Sequence, residues 1–163
     1  WKFAEKELTK RTQNNRLPNL VRFDNMPVVQ MAIPDKSLDL AFVALNYHDF
    51  FFTQYQQDGK TIQVRDKPVD HKAALNTIKQ ALKDDGVFII IDHFAKAGSG
   101  FEAVNTLHRI DPEIIKNQMR QAGFTLIEEA FYLRNSHDDL ADNVFAPRIR
   151  GKTDRFIYKF TKE

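Results

Sequence analysis

Ser37-Leu38-Asp39-Leu40-Ala41-Phe42-Val43-Ala44-Leu45-Asn46-Tyr47-His48-Asp49-Phe50 is the stretch whose reading decides the fold. Leu38 to Leu45 is an almost unbroken apolar run, of the kind expected for a strand covered on both faces, as in a parallel sheet with helices above and below. Asn46, Tyr47, His48 and Asp49 follow at once, and each can donate or accept hydrogen bonds. In open α/β sheets ligands bind in the crevice beyond the carboxyl ends of the strands, so these side chains are placed to meet a substrate. A second stretch, Gly86-Val87-Phe88-Ile89-Ile90-Ile91-Asp92-His93, repeats the pattern, with an acid and a histidine at the strand exit.

Outward from these two strands, the chain alternates strands with amphipathic helices. Trp1 to about Thr12 reads as a helix with Trp1, Ala4 and Leu8 on one stripe. Leu20 to Phe23 reads as a short strand, with Asp24 and Asn25 in the loop at its exit. Phe51 to Asp70 is polar and aperiodic and reads as a loop or flap beside the site. Asp70 caps a helix whose Ala74, Leu75, Ile78, Ala81 and Leu82 form one apolar face, ended by a tight turn at Asp85-Gly86. Ala97-Gly98-Ser99-Gly100 is a flexible connection. Asp111-Pro112-Glu113 starts a helix with a capping acid and proline at the first helical position, and Gly123 stops it. Phe124 to Leu133 is a strand, Arg134 to Thr153 a long polar excursion, and Asp154 to Thr161 a last strand with Phe156, Tyr158 and Phe160 on one face. The expected class is therefore α/β, a mostly parallel sheet with an antiparallel last strand.

The totals narrow the function. The 163 residues, 42% of them hydrophobic, suffice for a single domain with a substantial core. A net charge of +2 without a Lys/Arg cluster gives no footprint for nucleic acid. There is no cysteine, which removes disulfides and thiolate metal sites. Nor is there a His-x-His or His-x3-His pair, so the spacing gives no metal site. No apolar run approaches the roughly 18 residues that span a bilayer, and no membrane contact is expected. No leader is visible, and both a cytoplasmic and an exported (periplasmic) location stay open, as does the oligomeric state. A dinucleotide-binding oxidoreductase would need Gly-x-Gly-x-x-Gly directly after a strand, and the Ala97 to Gly100 run follows the wrong one.

Several of these segments are familiar together. Pro34-Asp35-Lys36-Ser37-Leu38-Asp39-Leu40, Ala81-Leu82-Lys83-Asp84-Asp85-Gly86-Val87 and Ala122-Gly123-Phe124 resemble the second half of class I S-adenosylmethionine-dependent methyltransferases. More closely, Asn46-Tyr47-His48-Asp49, Ile91-Asp92-His93, Ala97-Gly98-Ser99-Gly100, Leu107-His108-Arg109-Ile110-Asp111 and Arg150-Gly151-Lys152-Thr153-Asp154-Arg155-Phe156 resemble a little-characterised bacterial group of predicted methyltransferases. The resemblance implies a Rossmann-like sheet of order 3-2-1-4-5-7-6, S-adenosylmethionine as cofactor and a small-molecule methyl acceptor. It also implies that the first strand, its glycine-rich turn, the first helix and the second strand are missing from residues 1–163. On that reading roughly 70 or more residues precede this chain, from typical domain and α/β unit sizes. The alternative is a catalytically inactive methyltransferase-like binding module.

Roles follow for the polar residues at the strand exits. Methyl transfer needs alignment of the acceptor and, where it is protonated, a base. His48 and His93 suit the base, with Asp49 or Asp92 orienting a ring. Asn46 and Tyr47 shape the pocket near the methyl group, Asn46 toward the cofactor and Tyr47 toward the acceptor. Asp92, His108 and Arg109 face the acceptor. By resemblance, Asp24, with Asn25 beside it, meets the adenine amino group. Asp111 is read as a cap.

Overall fold

The computed structural model describes residues 2–163, with side chains from residue 5 onward. The chain divides into a first unit ending at Ala32 and a second unit, Ile33–Glu163.

In the first unit, helix α1 (Lys2–Thr12) stops where Asn14 and Asn15 adopt positive φ, a conformation that ends a right-handed helix. Trp1 and the side chain of Ala4, two members of the expected stripe, lie outside what is described, and Leu8, the third, is exposed. The strand expected over Leu20 to Phe23 does not form. No neighbouring strand pairs with these residues among the described ones, and an unpaired segment has no ladder to make. The unit is tied internally by Arg22, which donates to both oxygens of Asp24 at 3.1 and 2.6 Å and to the Thr12 hydroxyl at 3.1 Å.

The second unit holds the sheet. Strands β1 (Leu38–Ala44), β4 (Leu82–His93), β5 (Phe124–Ala130) and β6 (Arg155–Lys162) lie in the order β1-β4-β6-β5. β1 and β4 are parallel, and β6 runs antiparallel to both β4 and β5. A parallel β1–β4 pair beside an antiparallel last strand agrees with the mixed sheet expected from the sequence. Strands β1, β4 and β5 share a direction and step along the sheet the same way. Right-handed crossovers through α2 (His71–Ala81) and α4 (Pro112–Gln121) therefore put both helices on one face.

That face is the core. Along β4 alternate residues Gly86, Phe88, Ile90 and Asp92 are buried, and Phe156, Tyr158 and Phe160 of β6 lie opposite them. Ala74, Leu75 and Ile78 of α2 and Ile115 and Met119 of α4 close over them. Each such large apolar side chain contributes about 1.5–3 kcal/mol by leaving water. No helix of this unit packs on the other face. Leu40 and Phe42 are 50% and 56% exposed, so β1 is not the doubly covered strand its composition predicts. Its apolar residues alternate between a face packed by helices and one without a helix in this unit.

Three further differences have local causes. Helix α2 ends at Ala81 rather than at Asp85-Gly86, because the chain entering β1 captures its end: the amides of Lys36 and Ser37 donate to the carbonyls of Gln80 and Ala81, and Leu38 pairs with Leu82. The pairing then jumps to Leu40 against Val87, and Gly86 sits in the bulge, where a Cβ would lie 2.9 Å from the Leu38 carbonyl oxygen. The region read as a loop, Phe51 to Asp70, contains a hairpin of β2 (Gln54–Gln57) and β3 (Lys60–Gln63). Its turn is Asp58-Gly59 with both φ positive, the pair favoured in two-residue hairpins. A short helix, α3 (Glu102–Leu107), follows the Gly98 to Gly100 connection. No helix among the described residues is long and apolar enough to cross a membrane.

Candidate functional site

At the carboxyl end of β1 the chain turns sharply. Leu45 takes a positive φ of 55°, which throws the next residues across the top of the sheet into a 3-10 turn, His48–Phe50. There His48 meets the end of β4. Its Nδ1 lies 2.7 Å from Oδ1 of Asp92, and its backbone amide donates to Oδ2 of the same carboxylate at 2.9 Å. The Asp92 carboxylate also accepts from the His93 amide at 2.8 Å. Both His48 and Asp92 are buried, so the ring is fixed with Nδ1 toward Asp92 and Nε2 pointing away. Burial alone would lower the His48 pKa, but the hydrogen bond and charge of Asp92, with the charge of Asp49, outweigh it and raise the ring above its ordinary value.

The Nε2 side of His48 faces Asp49 and His108. Nε2 is 3.4 Å from Oδ1 of Asp49, and that oxygen is 4.0 Å from Nδ1 of His108. Asn46 donates to the other carboxylate oxygen of Asp49 at 2.6 Å. His108 is the left-handed C-cap of α3, with φ 54° and ψ 45°, a conformation that non-glycine residues rarely hold. Its ring stands between Phe52 and Phe145, with centroids 4.4 and 4.9 Å away. Burial and the neighbouring His48 lower the His108 pKa.

Beyond His108 opens a cavity of about 350 Å³, walled by Tyr55 and Gln56 of β2, Asn105 and Thr106 of α3, and Asn143 and Phe145 of the excursion. Asn105 holds these walls together by accepting from the amides of Thr53 and Gln54 at 2.9 and 3.3 Å. The Asn143 amide group donates to the Thr106 carbonyl at 2.9 Å.

The structure thus brings His48, Asp49, Asp92, His108 and Asn46 into one cluster. Other residues singled out from sequence are engaged elsewhere. Tyr47 is fully buried and its hydroxyl donates to Gln118 of α4 at 2.9 Å, so it anchors the strand exit to the helix and does not line the cavity beyond His108. His93 is bound through Nδ1 to the Thr153 hydroxyl at 2.7 Å, and burial chiefly lowers its pKa to about 4. Arg109 is buried with its guanidinium enclosed: it donates to both oxygens of Asp138 at 2.9 and 3.0 Å, to the Phe94 carbonyl at 3.0 Å and to the Asp142 carbonyl at 2.9 Å. It locks the excursion to the end of β4. Asp111 caps α4 through the Glu113 amide and also accepts from Gly98 at 2.7 Å. Asp24 and Asn25 lie in the first unit, Asp24 held by Arg22 and Asn25 at a positive φ.

Sequence reading missed Phe52, Asn105, Asp138, Phe145 and Thr153. Only Asn105 sits in a helix or strand, and each is joined to its partner across many residues. The local signal available was the Asp-x-Leu turn at Asp138, where the Leu140 amide donates back to the carboxylate.

Neither a family model nor a curated protein matches the sequence. Solved structures do share its fold. A SAM-dependent methyltransferase from Leishmania major aligns with TM-score 0.57 at 12% identity, over 96% of this chain and 50% of its own. A SAM dependent methyltransferase from Aquifex aeolicus aligns with TM-score 0.54 at 13% identity, over 99% and 63%. The 1,6-didemethyltoxoflavin-N1-methyltransferase of Burkholderia thailandensis, solved with bound 1,6-didemethyltoxoflavin and S-adenosylhomocysteine, aligns with TM-score 0.50 at 17% identity, over 97% and 56%. The chain spans about half to two thirds of the length of these structures, and at such identities the likeness is one of fold.

Proposed function

We propose that this chain carries the acceptor side of an S-adenosylmethionine-dependent methyltransferase that acts on a small molecule. The observation that supports it is the His48–Asp92 pair, buried at the exits of two neighbouring parallel strands of a methyltransferase-like sheet. A pair so placed sits where α/β sheets bind their ligands.

The residues fit the cofactor as hydrogen-bond acceptors. Asn46 is exposed just past β1, and its carboxamide oxygen makes no hydrogen bond among the described residues. The Asp24 side chain is 48% exposed beyond its ion pair and retains lone pairs for an amino group. Asn46 is the proposed cofactor contact on the second unit. Bound S-adenosylmethionine supplies an electrophilic methyl on a sulfonium. His48 takes the acceptor's proton on Nε2, while Asp92 fixes the ring and stabilises the imidazolium that forms. The cavity beyond His108, with amide and aromatic walls, takes the body of the acceptor.

Calorimetric titration with S-adenosylhomocysteine tests the reading. Saturable binding of one ligand per chain is the expected result. Absence of binding by the folded protein removes the enzyme assignment for this chain.

A further inference from the structure

We infer that His48 Nε2, Asp49 Oδ1 and His108 Nδ1 form a binding site for one divalent transition-metal ion of the zinc type. The sequence has no metal-ligand spacing; the fold assembles the set from the β1 exit and the end of α3. The three ligand atoms lie within 4.8 Å of one another, with separations of 3.4 and 4.0 Å to Asp49. Tetrahedral ligands at bonds of about 2.0 Å stand about 3.3 Å apart, so side-chain adjustments of under about an ångström close the set on an ion.

What sets this cluster apart from a chance group is the support behind each ligand. Metal-binding histidines commonly donate their second ring nitrogen to a carboxylate, and His48 has Asp92 at 2.7 Å on Nδ1. Ligating carboxylates are in turn hydrogen-bonded, and Asn46 holds the remaining oxygen of Asp49. His108 is held by the strained left-handed cap of α3 and by the rings of Phe52 and Phe145. The cavity beside His108 provides the entry path and room for the fourth, exchangeable ligand that open zinc sites keep.

The inference goes beyond methyl transfer and does not require it. An ion here takes the Nε2 lone pair, so metal binding and proton abstraction by His48 exclude each other at any instant. The two readings also fail separately: one on turnover, this one on metal binding alone.

The test uses chelator-treated full chain and the metals themselves. Co²⁺ is expected to bind once per chain with the intense visible bands of a low-coordinate ion, and Zn²⁺ to displace it and raise the melting temperature. His108→Ala and Asp49→Ala, whose side chains are half-buried, should each remove the bands and the thermal shift while keeping the wild-type circular dichroism. Asp92→Asn should weaken the metal by about 10–100-fold. His137→Ala, at an exposed histidine, should bind like the wild type. Absence of saturable binding by the wild type, or binding that survives His108→Ala, overturns the site.

Discussion

His48 and Asp92 are separated by 44 residues, yet one carboxylate binds both the ring nitrogen and the backbone amide of the same histidine, at 2.7 and 2.9 Å. The double contact fixes the position of the residue as well as the tilt of its ring. It is also available only where two parallel strands end side by side, since each residue comes from the exit of a different strand.

In the methyltransferase reading, His48→Ala should lower turnover by about 10²–10⁴-fold, the usual worth of a placed base. Affinity for S-adenosylhomocysteine, measured by calorimetry, should change little, because His48 faces the acceptor. Equal losses in both quantities would contradict the assignment.

Arg109 and Asp138 are a buried ion pair whose partners are otherwise enclosed. Removing one leaves the other charged and unpaired, and Arg109→Ala should cost about 3–5 kcal/mol in urea unfolding. Burial alone would raise the Asp138 carboxyl, but bonds from the Asp154 amide, the Arg109 guanidinium and the Leu140 amide outweigh it and hold it below the ordinary range. A depressed carboxyl stabilises the fold above its unfolded value, about 3.9, and that stabilisation is lost as the pH falls through the folded value. Asp138→Asn should therefore flatten the acid limb of the stability curve below about pH 4. An unchanged limb in urea titrations would remove Asp138 as the source.

His93 should stay neutral at pH 6. Its pKa is lowered to about 4, chiefly by burial, with the charges of His48, Arg109 and Arg155 acting in the same direction and Asp92 opposing. The unfolded chain binds this proton near pH 6.5, so stability attributable to His93 falls as the pH drops from about 6.5 toward the folded value. Ring-nitrogen NMR shifts followed from pH 8 to 4 give the result directly. A midpoint near 6.5 would mean that the ring is not enclosed.

Gly86 should not tolerate a side chain. A Cβ there meets the Leu38 carbonyl oxygen at 2.9 Å and the Lys83 amide nitrogen at 3.1 Å, both backbone atoms that cannot swing away. Gly86→Ala should cost about 1–3 kcal/mol, as overpacking does, seen as a lower urea midpoint at constant slope. A neutral effect would show that the bulge between β1 and β4 is pliable.

The sheet and both long helices of the second unit were legible because their signals are local: apolar runs at Leu38 and Val87, caps at Asp70 and Asp111, alternation at Phe156, Tyr158 and Phe160. The candidate site was legible in its strand exits, where His48, Asp49 and Asp92 stand beside apolar runs. Arg109 and Tyr47 are held by buried partners, and a charged or phenolic group in a run of site-like residues reads the same whether it faces a cavity or such a partner. Asp138 and Gln118, the partners that decide the matter, lie far along the chain. The hairpin turn at Asp58-Gly59 carried its usual signature, but the flanking glutamines lack the apolar alternation that normally accompanies it.

The uncovered face and outer edge of β1 bear on how the protein behaves in a tube. Among the described residues β1 pairs with β4 alone, so its outer backbone groups remain available for another strand, next to the exposed Leu40 and Phe42. A net charge of +2 offers little mutual repulsion between copies. Light scattering of this chain should therefore rise steeply with concentration, and a lysine at Phe42 should delay the rise more than one at the buried Phe88 position, where it would unfold the core instead.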